Sequence, residues 1–162
     1  MRTYISPIGY DTRQVTRPVI NTGLGNDDEL VLVRPGEESD TEQANQAVAD
    51  VRQLLHEVEP DCEIAVKRVV TESIEETIRD CCRALGEVDD ERDLIVSLGG
   101  GARDVLLPLT VAALVYVRRI DTTLFFSDLD NTVQQWELPD LTARVPDRTR
   151  DTLNVLVESG DW

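Results

Sequence analysis

Two glycine-containing segments combine arginine with small polar residues, in the sequences SPIGYDTR (6–13) and SLGGGARD (97–104). Glycine lets the backbone approach a ligand closely, and its N–H groups together with a guanidinium can bind anions such as phosphate. Residues 1–25 hold three Arg against one Asp, as do residues 97–120, whereas every other part of the chain is net negative. We therefore expect these two segments to form an anion-binding site.

The individual residue types of both segments fit this chemistry. In the first segment, Ser6 and Thr12 offer hydroxyl groups, Gly9 offers backbone access, and Asp11 is placed to cap the helix that follows. In the second, three glycines precede Arg103, without the Gly-Lys-Ser/Thr ending of a P-loop and without a G-x-G-x-x-G pattern. The alternative interpretations are a capped helix with solvated arginines, and a tight strand-to-helix connection that binds nothing.

Other kinds of chemistry find little support in the sequence. His56 is the single histidine, so neither a histidine-containing catalytic triad nor a zinc-binding set can be assembled, and no catalytic base is identified. The cysteines at 62, 81 and 82 are odd in number and lack C-x-x-C spacing, which predicts buried reduced thiols and no metal site. We expect no cofactor.

Length and composition indicate one strongly acidic domain. The 162 residues carry a formal net charge of −16, with 32 Asp and Glu against 16 basic residues, of which only Lys67 is lysine. Such a surface fits a salt-rich cytoplasm, as in halophilic archaea, where self-repulsion is screened. The alternative is an ordinary acidic cytosolic protein. We expect a cytoplasmic protein without membrane contact, because no secretory leader or bilayer-length apolar stretch is present.

Strand and helix patterns alternate along the chain and predict an open three-layer α/β sheet of mostly parallel strands. Several strands are nearly continuous in apolar residues, which is typical of strands covered on both faces. The last two form an antiparallel pair around an Asp-Asn turn. The predicted strands are 3–6, 29–35, 62–70, 93–98, 122–127 and 132–137.

Four helices are expected between the strands. One follows Asp11, and one spans 41–59 with an inward apolar stripe from Ala44 to Val58. Another begins near Ser73, turns apolar residues from Ile74 to Leu85 inward, and ends at Gly86. The fourth, at 103–118, is apolar on nearly every side, which indicates burial in the core or against a partner subunit. Pro108 should kink this helix or lie in its first turn.

The composition changes after Pro139. Residues 139–147 read as a linker, and residues 148–162 contain the pattern of a further amphipathic helix. The domain formed by the sheet is therefore assigned to residues 1–138.

Three features together resemble the CRISPR-associated Rossmann fold (CARF) family: YISPIGYDTRQVTRPVI, SLGGGARDV, and an α/β frame ending in an antiparallel pair. The resemblance is strongest to the archaeal CRISPR-linked transcription regulators and covers residues 1 to about 138. It implies a Rossmann-like domain whose homodimer binds a cyclic oligoadenylate, often the tetra-adenylate. In this comparison residues 148–162 resemble the start of a truncated winged helix-turn-helix.

The resemblance also implies which residues contact the ligand. Many relatives have Thr on both sides of a Gly-Gly pair, whereas here Gly99 and Ala102 occupy those positions and only Arg103 keeps its type. The implied ligand-binding residues are Ser6, Gly9, Tyr10, Asp11, Thr12, Arg13, Gly99, Gly100, Gly101, Ala102 and Arg103.

The leading hypothesis is a ligand sensor that regulates transcription and binds DNA only through a C-terminal domain that this chain lacks. The enzymatic alternative is a metal-independent ring nuclease, in which Ser6 or Arg103 would position the reacting groups. A generic dinucleotide-binding domain is disfavoured, because Arg34 and Pro35 stand at the end of the second strand where such domains place an acidic residue.

Overall fold

A computed structural model describes residues 1–36 and 41–141. The predicted linker from residue 142 onward and the predicted last helix lie outside the described residues. The strands are β1 (Arg2–Pro7), β2 (Glu29–Pro35), β3 (Glu63–Val69), β4 (Asp93–Ser97), β5 (Thr122–Ser127) and β6 (Thr132–Gln135), and the helices are α1 (Arg13–Thr22), α2 (Glu42–Val58), α3 (Ile74–Gly86) and α4 (Arg103–Val115).

The six strands form one sheet in the order β3-β2-β1-β4-β5-β6. All neighbouring pairs are parallel except β5 and β6, which are antiparallel and joined by a turn in which Asn131 has a φ of 56°. This topology confirms the predicted α/β sheet with its antiparallel pair at the C-terminal end.

The core has two halves, one on each face of the sheet. Helices α1 and α2 pack on one face around Tyr4, Leu32 and Val51, and α3 and α4 pack on the other around Ile5, Leu85 and Leu109. Neighbouring residues of β1 enter opposite halves because strand side chains alternate. The architecture is therefore three-layered, as expected.

Some predicted core positions are wrong. Leu54 and Val58 of α2 are 40% and 52% exposed, and Ile74 at the start of α3 is 55% exposed. Helical periodicity marks an apolar stripe, but only the centre of such a stripe reaches the sheet in α2. Pro108 lies in the interior of α4 rather than in its first turn.

The cysteines remain reduced thiols. Cys62 and Cys81 are buried and Cys82 is half-buried. Burial in apolar surroundings raises the pKa of Cys81 to about 12.

No group of metal-ligating side chains occurs among residues 1–36 and 41–141, and no helix in these ranges has the length and apolar character needed to cross a bilayer.

Candidate functional site

The candidate site lies where the strand order of the sheet reverses. β1 is hydrogen-bonded to both β2 and β4, and the chain leaves β1 and β4 toward opposite faces of the sheet. A crevice opens at the carboxyl ends of such strands, and open α/β sheets bind their ligands there. Both glycine segments identified in the sequence follow these two strands.

The two segments are in direct backbone contact. A β carbon on Gly9 would lie 3.2 Å from the carbonyl carbon of Gly101. Gly101 has a φ of 106°, which side-chain-bearing residues rarely adopt, and a β carbon there would lie 2.7 Å from the β carbon of Pro7. Glycine at these positions therefore lets the two turns pack together.

Beside this contact lies a cavity of about 520 Å³, within the ~300–1,000 Å³ range of small-molecule sites. Among the residues implied by resemblance, Gly9, Tyr10, Asp11, Gly101 and Ala102 line it. The cavity is also lined by six residues that were not predicted from the sequence as site residues: Ile8, Gln14, Arg34, Pro35, Ala44 and Asp104.

The remaining implied residues do not line the cavity. The Ser6 hydroxyl is buried and donates to the carbonyl oxygen of Pro7 at 3.3 Å. Thr12 is the N-cap residue that precedes α1, and its side chain makes no capping hydrogen bond. Gly99 packs against the backbone of Phe126 in β5, and Gly100 against the side chain of Gln14.

The two arginines expected to supply positive charge also lie outside the cavity lining. Arg13 is exposed and pairs with Asp11, its Nη2 lying 2.6 Å from Oδ2 and its Nε 3.0 Å from Oδ1. The hydrogen bond from Arg13 lowers the pKa of Asp11, so this carboxylate is ionised and locally neutralised at neutral pH. Asp11 also accepts from the backbone N–H of Arg13 at 3.0 Å, although Thr12 is the cap residue of α1. Arg103 is exposed at the first residue of α4.

Gln14 connects the first turn of α1 to the glycine turn. Its Oε1 accepts from the backbone N–H of Gly101 at 3.0 Å, and its Nε2 donates to Oδ2 of Asp128 at 3.2 Å. This N–H of the glycine turn, which was expected to bind an anion, is thus already hydrogen-bonded within the protein. Nothing in the sequence distinguishes Gln14 from other polar residues of α1.

The positive charge in the cavity comes from Arg34 at the end of β2. Arg34 is only 5% exposed, and its Nη1 donates to Oδ1 of Asn45 in α2 at 3.0 Å. The signal for this residue was present in the sequence, since a charged residue at the carboxyl end of an apolar strand points to a functional role.

Close to the site, the buried hydroxyl of Ser97 has no hydrogen-bond partner among the described residues. An unpaired buried hydroxyl costs about 1–3 kcal/mol. We therefore predict that Ser97→Ala leaves the free energy of unfolding unchanged or raises it by about 1 kcal/mol. Ser6→Ala is the matched control, because it removes a buried hydroxyl that does have a partner. Urea unfolding in which Ser97→Ala is the more destabilising of the two would contradict this.

Comparison with known proteins identifies the family. The Csa3 CRISPR-associated Rossmann-like domain family matches residues 2–134. None of the curated proteins matches the sequence.

Three solved structures share the fold. Can2 from Sulfobacillus thermosulfidooxidans, in complex with cyclic tetra-adenylate, matches with a TM-score of 0.59 and 16% identity, over 85% of this chain and 37% of that one. Protein VC1899 from Vibrio cholerae matches with a TM-score of 0.63 and 8% identity, over 86% of this chain and 34% of that one. Enterococcus italicus Csm6, bound to cyclic hexa-2'-fluoro-hexa-dAMP, matches with a TM-score of 0.58 and 14% identity, over 83% of this chain and 35% of that one. This chain thus spans little more than a third of each of these proteins. The family match over most of the chain, on a sheet with the expected topology, shows that the protein belongs to the Csa3 CRISPR-associated Rossmann-like domain family.

Proposed function

We propose that this domain senses a cyclic oligoadenylate, which it binds in the cavity beside the carboxyl ends of β1 and β4. The observation that carries the proposal is the position of this cavity at the strand-order reversal of a domain in this CRISPR-associated family. Two proteins that share the fold are Can2, in complex with cyclic tetra-adenylate, and Csm6, bound to a cyclic hexanucleotide analogue. The cavity offers a cation in Arg34 and an aromatic ring in Tyr10, which is 59% exposed and available for stacking on adenine.

We propose further that the sensing unit is a homodimer formed through α4. Leu107, Val111 and Val115 lie on one side of this helix and are 57%, 43% and 63% exposed. No charged residue occurs between Asp104 and Arg118, in a chain with a net charge of −16. Exposed apolar stripes of this kind mark interaction surfaces.

A dimer through α4 would suit a ring-shaped ligand. Ala102 and Asp104 at the start of α4 line the cavity, and Leu107 lies one helical turn further along. A two-fold axis along this stripe would bring both cavities near the axis, and each subunit would contact half of a symmetric ring.

Sensing is favoured over ring cleavage by the positions of the side chains that could take part in catalysis. His56 is exposed near the amino end of β3, at the sheet edge opposite the cavity, where its Nε2 lies 3.2 Å from the carbonyl oxygen of Cys62. Ser6, which the nuclease alternative would use, has a buried hydroxyl. We therefore propose a binding role that ends in transcriptional regulation, with DNA contacted by a further domain, of which residues 148–162 would be the beginning and 139–147 the linker.

We also propose a cytoplasmic, salt-rich setting, on the basis of the net charge of −16 with a single lysine. Molar KCl should then raise the free energy of unfolding, since salt screens repulsion between carboxylates. Unfolding by heat in low and in molar KCl tests this, and equal midpoints would argue against adaptation to salt.

Isothermal titration calorimetry with cyclic tetra-adenylate in molar KCl tests the sensing function. We expect saturable binding at one ring per two chains, with linear tetra-adenylate as the control that binds more weakly. Chromatography of the ligand after incubation should return the intact ring. If the protein binds neither cyclic tri-, tetra- nor hexa-adenylate, the proposal is contradicted. If shortened or linear products form, the protein is a ring nuclease rather than a sensor.

A further inference from the structure

Arg34 is a buried positive charge in the wall of a cavity. Its side chain is 5% exposed, and it is the one basic residue among the described residues that line the cavity. Burying a guanidinium is costly unless it interacts with polar or charged partners. A buried arginine that reaches a cavity in a molecule this acidic is therefore more than a solubilising surface charge.

The fold fixes the direction of this side chain. Val33 packs into the core half formed by α3 and α4, so strand alternation turns Arg34 toward α1 and α2, where the cavity lies. Asn45, in the first turns of α2, accepts a hydrogen bond from Nη1 at 3.0 Å. A guanidinium has five N–H donors in a rigid fork, so this bond to Asn45 orients the group and is compatible with donation to an anion.

The other charged residues of the cavity favour one orientation of a ligand. Asp11 and Asp104 line its remaining wall, next to the glycine turn. Asp104 repels a phosphate, whereas Asp11 is neutralised locally by Arg13, and both carboxylates can accept hydrogen bonds from ribose hydroxyls or the adenine amino group. A phosphate is therefore best placed at the β2 wall, beside Arg34.

We infer that Arg34 is the residue that binds a phosphate of the ligand, in the place of Arg13 and Arg103, and that Asn45 is its positioning residue. This inference rests on the proposed binding of a cyclic oligoadenylate. Losing a charge-assisted hydrogen bond of this kind lowers the affinity for the ligand by about 10- to 150-fold per subunit.

The test compares the affinity for cyclic tetra-adenylate of the unaltered protein with that of four variants. Arg34→Gln should weaken binding by about 10- to 150-fold, and Arg34→Lys should be intermediate because an ammonium lacks the planar fork. Asn45→Ala, which leaves the charge in place, should weaken binding less than Arg34→Gln. Arg79→Gln makes the same charge change at an exposed site on α3 and should bind normally.

A ligand in which uncharged methylphosphonates replace the phosphates separates direct contact from misfolding. The unaltered protein should bind this ring weakly, and Arg34→Gln should lose no further affinity for it, since the contact is already absent. Equal additional loss with both rings would show that Arg34 acts only structurally, and would overturn the inference.

The outcomes also separate this inference from the proposed function. If the unaltered protein binds the ring, but Arg103→Gln loses affinity and Arg34→Gln does not, the phosphate is held at the glycine turn and only the inference fails. If the unaltered protein binds no cyclic oligoadenylate, the proposed function fails and the inference fails with it.

Discussion

Replacing Gly99 by alanine is expected to lower the free energy of unfolding by about 3 kcal/mol or more, since steric overlap with backbone belongs to the most damaging class of substitutions. A β carbon at this position would overlap the backbone nitrogen of Phe126 and approach its α carbon to 2.9 Å. Both atoms belong to β5, which is hydrogen-bonded to β4 and cannot shift without breaking that pairing. The site would be displaced as well, because the same turn leads into Gly101.

Thermal or urea unfolding measures this effect. At this chain length, about 3 kcal/mol corresponds to a fall in the unfolding midpoint of roughly 6–12 °C. Gly25→Ala is the matched control, because the nearest atom to its added β carbon would be Oδ2 of Asp28 at 3.5 Å, an ordinary contact. Equal midpoints for the two variants would show that β5 does not constrain Gly99.

The double substitution Leu107→Glu, Val111→Glu is expected to convert the proposed dimer to a monomer and to reduce affinity for cyclic tetra-adenylate by about 100-fold or more. Placing two carboxylates in an apolar interface costs several kcal/mol, which corresponds to that change or more. Ligand binding should fall with it, because each subunit supplies contacts for only half of the ring. Sedimentation velocity and calorimetry on the same samples measure the two effects.

Val58→Glu is the matched control for the dimer. Val58 is 52% exposed on α2, comparable to the residues of the α4 stripe. This variant should remain dimeric and bind normally. A monomeric unaltered protein would contradict the proposed dimer, and a dimer that survives both substitutions in α4 would place the interface elsewhere on the molecule.

Most of the sheet could be predicted from sequence because each strand is determined by the residues within it and directly beside it. The bounds of β2 and β5 agree with the predictions, since each contains a short apolar run, 30–33 in β2 and 124–126 in β5, flanked by polar or helix-breaking residues. Parallel pairing then follows from the alternation with helices. Burial on the helices was harder to predict, because the exposure of Leu54, Val58 and Ile74 depends on where each helix meets the sheet.

That the two glycine segments lie at the same edge of the sheet could be predicted, but the cation that lines the cavity could not. Parallel strands place their carboxyl ends at one edge, and the pairing of β1 with β4 brings the two segments into contact. Counting charges does not reveal that Arg13 is paired with Asp11, or that Gln14 takes the N–H of Gly101. Arg34 reaches the cavity only because β2 lies next to β1 and α2 begins beside it, which is a tertiary relation.

Amide chemical shifts during titration with cyclic tetra-adenylate test the central claim most directly. Binding at the strand-order reversal predicts saturable shifts in residues 8–14, 34, 44–45 and 101–104, with few changes near His56 or at the hairpin joining β5 to β6. Shifts concentrated away from these segments would place the ligand elsewhere, and an unchanged spectrum at saturating ring would contradict the account.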